Sequence, residues 1–523
     1  MSSEDGRNRA PDHILCLLLW AGIFAYLAAM PRNLATADES YFLVEAKRLA
    51  HGEILYKDVY YWSTPLADWI MALAFRIFGD SINTARLFMA ALHATTGVLT
   101  YLASRRLGVR PLIALCFPVA YLALCQATWP YASPHWFATA LMALLMVVLS
   151  GSRWIDRPAS ATVAGIVTGG LISVQHQKGI VVVAGVGLLL VLKSALGRRF
   201  EGKSSLRELM RQLLRFCAGN CIVGIPVLLC IVATGGGGPF FEQMIWSATR
   251  GAVNYRALVS TGYGDIGPFN GANASHTFPV LLKYLPVVIV PAIVRAFRVW
   301  MRRSSRAEFD QLVMLIVLGA TSVLSVAYYP DFIHLAFAAQ VSLVLWSETV
   351  ETVARRIDAA GARSGLWIGL VVTGLAGGLS LHLYGNLART WKEYPFPFQT
   401  AFGRVDFASQ TEIQLVERIR SLLQQAGAHE FFAYPMHTAL YLTTGANNPT
   451  PYQFLLPSFH PPQHVTNTLA ILKAKRLPYL YLGALFLQND DPVREYILRN
   501  YECADRSQPL CTLFRRRNDA PDD

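Results

Sequence analysis

Apolar stretches of about 16–22 residues recur along most of the chain, each closed by Arg, Lys or Pro. A helix needs about 20 residues to cross the hydrocarbon of a bilayer, and backbone groups left unpaired there are costly, so these stretches are predicted to be membrane helices. They fall at 13–30, 82–103, 111–128, 135–150, 159–175, 180–196, 213–233, 278–296, 311–327, 334–350 and 366–384, which makes about eleven spans. The polar segments between them alternate in charge. Arg105, Arg106 and Arg110 close one gap, and Arg153 and Arg157 the next but one. The same spacing brings in Arg198, Arg199, Lys203, Arg207 and Arg211, then Arg298, Arg302, Arg303 and Arg306, then Arg355, Arg356 and Arg363. Basic residues stay on the cytoplasmic side of a membrane. With Arg7 and Arg9 at the front, the N-terminus is predicted inside. The loops at 31–81 and 234–277, the turns at 129–134, 176–179 and 328–333, and everything after 385 are predicted outside. The apolar segment 64–79 is short and carries Asp68 and Arg76, so it is predicted to lie along the outer surface.

After 385 the long apolar runs stop and charge rises. Helical periodicity appears at 411–425, with Ile413, Val416, Ile419, Leu422 and Leu423 on one face. Further helices fit 465–475 and 492–500, the last capped by Asp490 or Asp491, and short strands fit 430–434 and 479–483. The fold class that follows is mainly α: a polytopic membrane domain over 1–385 and a small extracytoplasmic α/β domain over 386–523. Composition agrees, since the chain is 53% hydrophobic and only 15% charged, against about 25% charge in ordinary soluble proteins. The net charge of +12 sits mostly in the inner segments, where it sets orientation, and so does not point to nucleic acid. The first run has no small-residue cleavage site behind it and reads as a retained anchor, which fits a bacterial inner (cytoplasmic) membrane. Six cysteines lie in apolar runs as packing. Cys503 and Cys511 flank a polar turn in the tail and could bridge a terminal hairpin in an oxidising compartment.

The densest chemistry lies between residues 38 and 87. Asp38 and Glu39 open a helix predicted over 40–51. Acidic side chains there are favoured by the helix dipole, and a carboxylate so held is also well oriented to act as a general base. In one order there follow Ala46, Leu49 and Gly52, then Tyr56, Thr64-Pro65-Leu66, Trp69, Phe78-Gly79 and Ala85-Arg86-Leu87.

This run resembles the first outer loop of integral-membrane glycosyltransferases of the GT-C fold, in the group of protein O-mannosyltransferases and lipid A aminoarabinose transferases. Weaker likenesses are the stretch from Gly170 to Lys178-Gly179, similar to the family's Gly…Thr-Lys-Gly turn, and 447–452 (Asn-Asn-Pro-Thr-Pro-Tyr), similar to an element of related tails. The resemblance implies an enzyme that moves a sugar from a polyprenyl-phosphate-linked donor to an acceptor outside the membrane, by inverting displacement. The acceptor would be a protein hydroxyl, a cell-envelope glycan or a glycolipid. Asp38 takes the base role by match to the motif, and Glu39 would orient acceptor or sugar.

Such chemistry also needs cations for the departing phosphate. Aminoarabinose-type relatives carry Lys before Pro-Pro-Leu, whereas this chain has Ser63-Thr64-Pro65-Leu66. The candidate substitutes are Arg86, Lys178, Arg250 and Arg256. Arg86 lies near the outer end of its span, where an unpaired charge is costly, and pairing with the Asp-Glu loop would relieve it. Lys178 could instead snorkel from its turn. Tyr61, His135, His176 and His334 lie at outer turns and are candidates for a substrate pocket. A divalent metal cofactor could bind there in principle, but no close His-x-x-x-His or Cys-x-x-Cys spacing supports one. The rival class is a transporter or flippase of a lipid-linked substrate. Repeated halves and mid-membrane charges would mark it, and the chain shows neither.

Overall fold

Seven helices among the described residues are long and apolar enough to cross a membrane, and four shorter apolar helices occupy the remaining predicted runs. In this computed structural model residues 9–518 are described, except 35–36, 127–129, 151–157, 202–205, 247–280, 328–330, 362–363, 457–459, 484–489 and 505–510. The helices are α1 (Arg9–Ala28), α2 (Ala37–Ala50), α3 (Leu66–Phe78), α4 (Ile82–Arg106), α5 (Pro111–Tyr121), α6 (Pro134–Leu149) and α7 (Pro158–Val174). They continue as α8 (His176–Glu201), α9 (Leu206–Ala233), α10 (Gly237–Trp246), α11 (Ile289–Arg302), α12 (Arg306–Leu324), α13 (Phe332–Ala359) and α14 (Ser364–Glu393). The fold is therefore that of a polytopic helical membrane protein.

Small residues set how closely the spans approach. A Cβ on Gly165 would lie 2.2 Å from the Phe216 carbonyl, and one on Gly219 would lie 2.2 Å from the Thr162 carbonyl, so α7 and α9 cross backbone to backbone. Thr168 Oγ1 donates to Asn220 Oδ1 across that crossing at 3.0 Å. Central α4 starts at Ser81, whose hydroxyl accepts from Thr84 N at 3.1 Å. It ends where Arg105 pairs with Asp12, and beyond it Arg110 pairs with Glu351.

The 31–81 loop holds α2 and α3. One face of α3 is buried through Met71, Ala72 and Phe75, while Leu73, Ile77 and Phe78 are exposed. That pattern suits the predicted surface helix. Gly79, at φ 87°, closes it.

In the tail, β1 (Phe396–Thr400) and β2 (Gly403–Phe407) form an antiparallel hairpin. A second sheet has the order β3 (Phe432–Tyr434), β4 (Tyr479–Leu482), β6 (Leu513–Arg516), β5 (Tyr501–Cys503), with only β3 and β4 parallel. Four helices accompany the two sheets: α15 (Gln410–Gln425), α16 (Ala439–Thr444), α17 (Pro462–Lys475) and α18 (Pro492–Asn500). The predicted apolar stripe of α15 is buried, and Asp491 caps α18. Cys503 and Cys511 are bonded, with Cα atoms 5.9 Å apart.

The tail packs directly on the loop. Ile82 N donates to Phe402 O at 2.9 Å, and Asp406 N to Arg32 O at 3.1 Å. The 447–452 element turns on Asn448, whose Oδ1 accepts from Thr450 N at 2.9 Å. Its carbonyls receive Arg48 Nη1 (Thr450 O, 2.9 Å) and Tyr60 N (Pro451 O, 3.0 Å).

Two expectations are corrected, and one element lies outside them. The turn expected at 176–179 is narrower: α7 and α8 break only at Gln175, so His176 and Lys178 sit in the first turn of α8. No proline or positive-φ glycine lies there to end a helix sooner. The 234–277 segment opens with a helix, α10, rather than a loop. The β1–β2 hairpin is not among the expected elements: β1 alternates, but over only five residues that include Pro397.

Candidate functional site

The site starts from the first turn of α2. Glu39 is wholly buried and forms a two-pronged ion pair with Arg86, Arg86 Nη2 lying 2.8 Å from Glu39 Oε2. Glu39 Oε1 also accepts from Ala132 N at 2.8 Å. The Arg86 guanidinium donates to Asn33 O and lies 5.4 Å from the Tyr131 ring centroid. Both charges are thus satisfied by protein, and the pair ties α2 to α4 and to the 130–132 segment.

Asp38, one residue earlier, points elsewhere. Its side chain keeps solvent access, yet it is recessed below the surrounding protein. That desolvation raises its pKa above the usual carboxylate range; the His334 imidazole pulls it back and the Asp331 carboxylate pushes it up again. Asp331 caps α13, accepting from His334 N at 2.8 Å and from His334 Nδ1 at 2.7 Å. The His334 ring meets His135 edge-on at 5.3 Å, and His135 stacks on Phe337 at 4.4 Å. Gln175 Nε2 lies 2.8 Å from His135 Nδ1. Lys178, only 1% exposed, donates to Phe337 O at 2.8 Å, and Thr139 Oγ1 donates to the same carbonyl at 3.0 Å. Among the described residues no carboxylate lies within ion-pair distance of Lys178.

Four of the predicted residues, Asp38, His135, Lys178 and His334, therefore meet from α2, α6, α8 and α13. The result is an accessible carboxylate of raised pKa near the His334 imidazole, which meets His135, which stacks on the Phe337 whose carbonyl receives the buried Lys178. Asp331 and Gln175 belong to the same cluster and were not singled out from the sequence. Asp331 was legible as a cap, standing just before an apolar run. Gln175 carried no signal of its own.

No protein-family model matches the chain, and no curated protein matches it. Among solved structures, the crystal structure of ArnT from Cupriavidus metallidurans bound to undecaprenyl phosphate aligns over 96% of this chain and 96% of that one, at a TM-score of 0.55 and 13% identity. The chain has the GT-C fold.

Among the described residues of this GT-C fold, Tyr61 makes no recorded contact with that cluster. His176 starts α8, and its Nδ1 has no partner among the described residues. Arg250 and Arg256 lie outside the described residues. Tyr61 is buried in a second polar cluster between α2 and α3, with Glu45, Asp68, Tyr41 and Tyr56. Burial raises the Asp68 pKa from 3.8 to about 7, with Tyr61 pulling back. Glu45 is raised well above its usual range, first by burial and then by the charge of Asp68.

This cluster predicts a pH-dependent stability. The folded protein holds a proton on Asp68 that the unfolded chain would release, so stability is full below the unfolded pKa of 3.8, falls as pH rises to about 7, and stays lowered above it. Asp68→Asn removes the ionisation. Its thermal midpoint should match wild type near pH 4 and exceed it at pH 8, by stability on the order of 2–4 kcal/mol. Equal midpoints at pH 8 would show that Asp68 ionises freely in the fold.

Proposed function

We propose that the protein transfers a sugar from a polyprenyl-phosphate-linked donor to an acceptor hydroxyl on the outer face of the membrane. The observation that carries this reading is the line of contacts from Asp38 through His334 and His135 to Phe337, whose carbonyl the buried Lys178 holds, in a GT-C fold whose solved neighbour is bound to undecaprenyl phosphate. The acceptor hydroxyl attacks the anomeric carbon, and Asp38 takes its proton. The bond to the phosphate oxygen breaks on the opposite side, which inverts the anomeric centre, and the polyprenyl phosphate leaves with the electron pair. Lys178, and in this reading Arg250 and Arg256, stabilise the charge gathering on that phosphate. His135 and His334 line the sugar pocket, with Asp331 orienting His334. Glu39 and Arg86 hold the loop in place.

The orientation follows from the charge alternation: N-terminus in the cytoplasm, tail outside the inner membrane. A disulfide in the tail favours an oxidising compartment on that side. In this arrangement residues 1–385 are the membrane domain and 386–523 the outer domain that closes over it.

The test is radiolabel transfer. Membranes containing the protein, and membranes lacking it, are given a panel of polyprenyl-phosphate sugars with total envelope acceptor. Label reaching acceptor only with the protein present establishes the class, and the donor that works identifies the sugar. If no donor yields product while the lipid is bound or moved across the bilayer, the reading is overturned in favour of transport.

A further inference from the structure

Arg86 also lines a cavity of about 190 Å³, at the seam of α1, α4 and α14. Asp38, Lys178 and the histidines of the cluster do not line it. From α4 it receives Arg86, Ala90 and His93, which share one helix face. His93 is 1% exposed, and neither ring nitrogen has a partner among the described residues. A neutral imidazole has one donor and one acceptor nitrogen, and leaving both unpaired in the interior costs free energy. A ligand hydroxyl, which donates and accepts, would serve either nitrogen once the ring turns from its edge-on packing on Trp136 towards the cavity.

The formal charges of the lining cancel in number once Glu39 is counted with Arg86. Arg86 is neutralised by Glu39. On α14 Arg389 is accompanied by Glu393 four residues on, and Arg389 Nη2 donates to Asn386 Oδ1 at 2.6 Å. With Thr390 and Tyr131 the wall presents hydroxyls, amides and an imidazole without net charge. That chemistry matches a neutral polyhydroxyl group rather than a phosphate. The volume is below the roughly 300–1,000 Å³ of drug-sized sites and suits a single ring.

We propose that this cavity binds a neutral sugar ring, and that the ring belongs to a glycan acceptor. The second half of this statement rests on the transferase reading; the first does not. The ring is held in this Arg86-lined cavity, and the remainder of the acceptor extends from it towards Asp38.

Purified full-length protein in detergent is examined by saturation-transfer NMR with glucose, galactose, mannose, xylose or N-acetylglucosamine. Inorganic phosphate and glucuronate serve as charged comparators. At least one neutral sugar is expected to receive saturation from wild type and from Asp38→Asn. The transfer should drop about tenfold in His93→Phe and in Thr390→Val. Should His93→Phe aggregate, Thr390→Val decides, since Thr390 is only partly buried and its hydroxyl bonds merely back to Asn386 O. Absence of saturation from every neutral sugar leaves a water-filled void and overturns the proposal. So does binding that survives both cavity variants, binding lost only in Asp38→Asn, or displacement of the sugar by phosphate. In the transfer assay the cavity variants should raise KM for the acceptor alone, and a rise for the polyprenyl donor instead would reject the acceptor assignment. Sugar binding with full transfer by Asp38→Asn would sink the base role of Asp38 and leave the cavity proposal standing.

Discussion

Transfer by Asp38→Asn is expected to fall about 10²–10⁴-fold, the usual contribution of a positioned general base. The substitution is nearly isosteric at an accessible position in the first turn of α2, so expression and elution should be unchanged. Initial rates of label transfer at equal protein measure the effect. The pH profile gives a second readout. The base works only unprotonated, and recession in the site raises its pKa, so the rate should be full at high pH and fall as pH drops through a value above the ordinary aspartate range. Neighbouring His334 lowers that pKa. His334→Gln should therefore move the acid limb to higher pH, which a purely structural histidine would not do. Full activity in Asp38→Asn would remove Asp38 from the mechanism.

Arg86→Met is expected to cost about 3–5 kcal/mol of stability, because it leaves a buried carboxylate without its counter-charge. Glu39 has no solvent to turn to: it is wholly buried, and a backbone donor such as Ala132 N carries no charge to replace the guanidinium. Against a total stability of about 5–15 kcal/mol, that loss is enough to lower the yield of monodisperse protein severely. The double variant Glu39→Gln/Arg86→Met removes both charges and should recover a good part of the loss, as cancelled pairs do. Size-exclusion profiles and thermal midpoints of the three proteins measure this. If Arg86→Met stays as stable as wild type and raises only the KM for donor, the arginine serves the donor phosphate instead.

The spans were legible because lipid leaves a chain few choices: apolar runs of sufficient length at 82–103 or 311–327 had to be helices. The same economy made the Glu39–Arg86 pairing readable, since a lone arginine near the end of a span needs a partner. The stripe on α15 was readable from its period. The site cluster was not. Asp38 and His334 lie nearly three hundred residues apart in the chain, and nothing local says that α2, α6, α8 and α13 converge. Tyr61 shows the converse difficulty. An aromatic at a membrane face can line a pocket or fill a core, and only packing against Asp68 decides that it fills one. The β1–β2 hairpin escaped notice because its order comes from contact with residues 32 and 82 rather than from its own pattern.

The contacts between loop and tail bear on how the molecule is made. The 31–81 loop leaves the ribosome hundreds of residues before the carbonyls of Thr450 and Pro451 that receive Arg48 and Tyr60. A nascent chain can insert every membrane helix and still hold an unfinished loop, because the strands and turns that brace it are synthesised last. The acidic turn at Asp38 is thereby among the first parts of the protein to be translated and among the last to be completed.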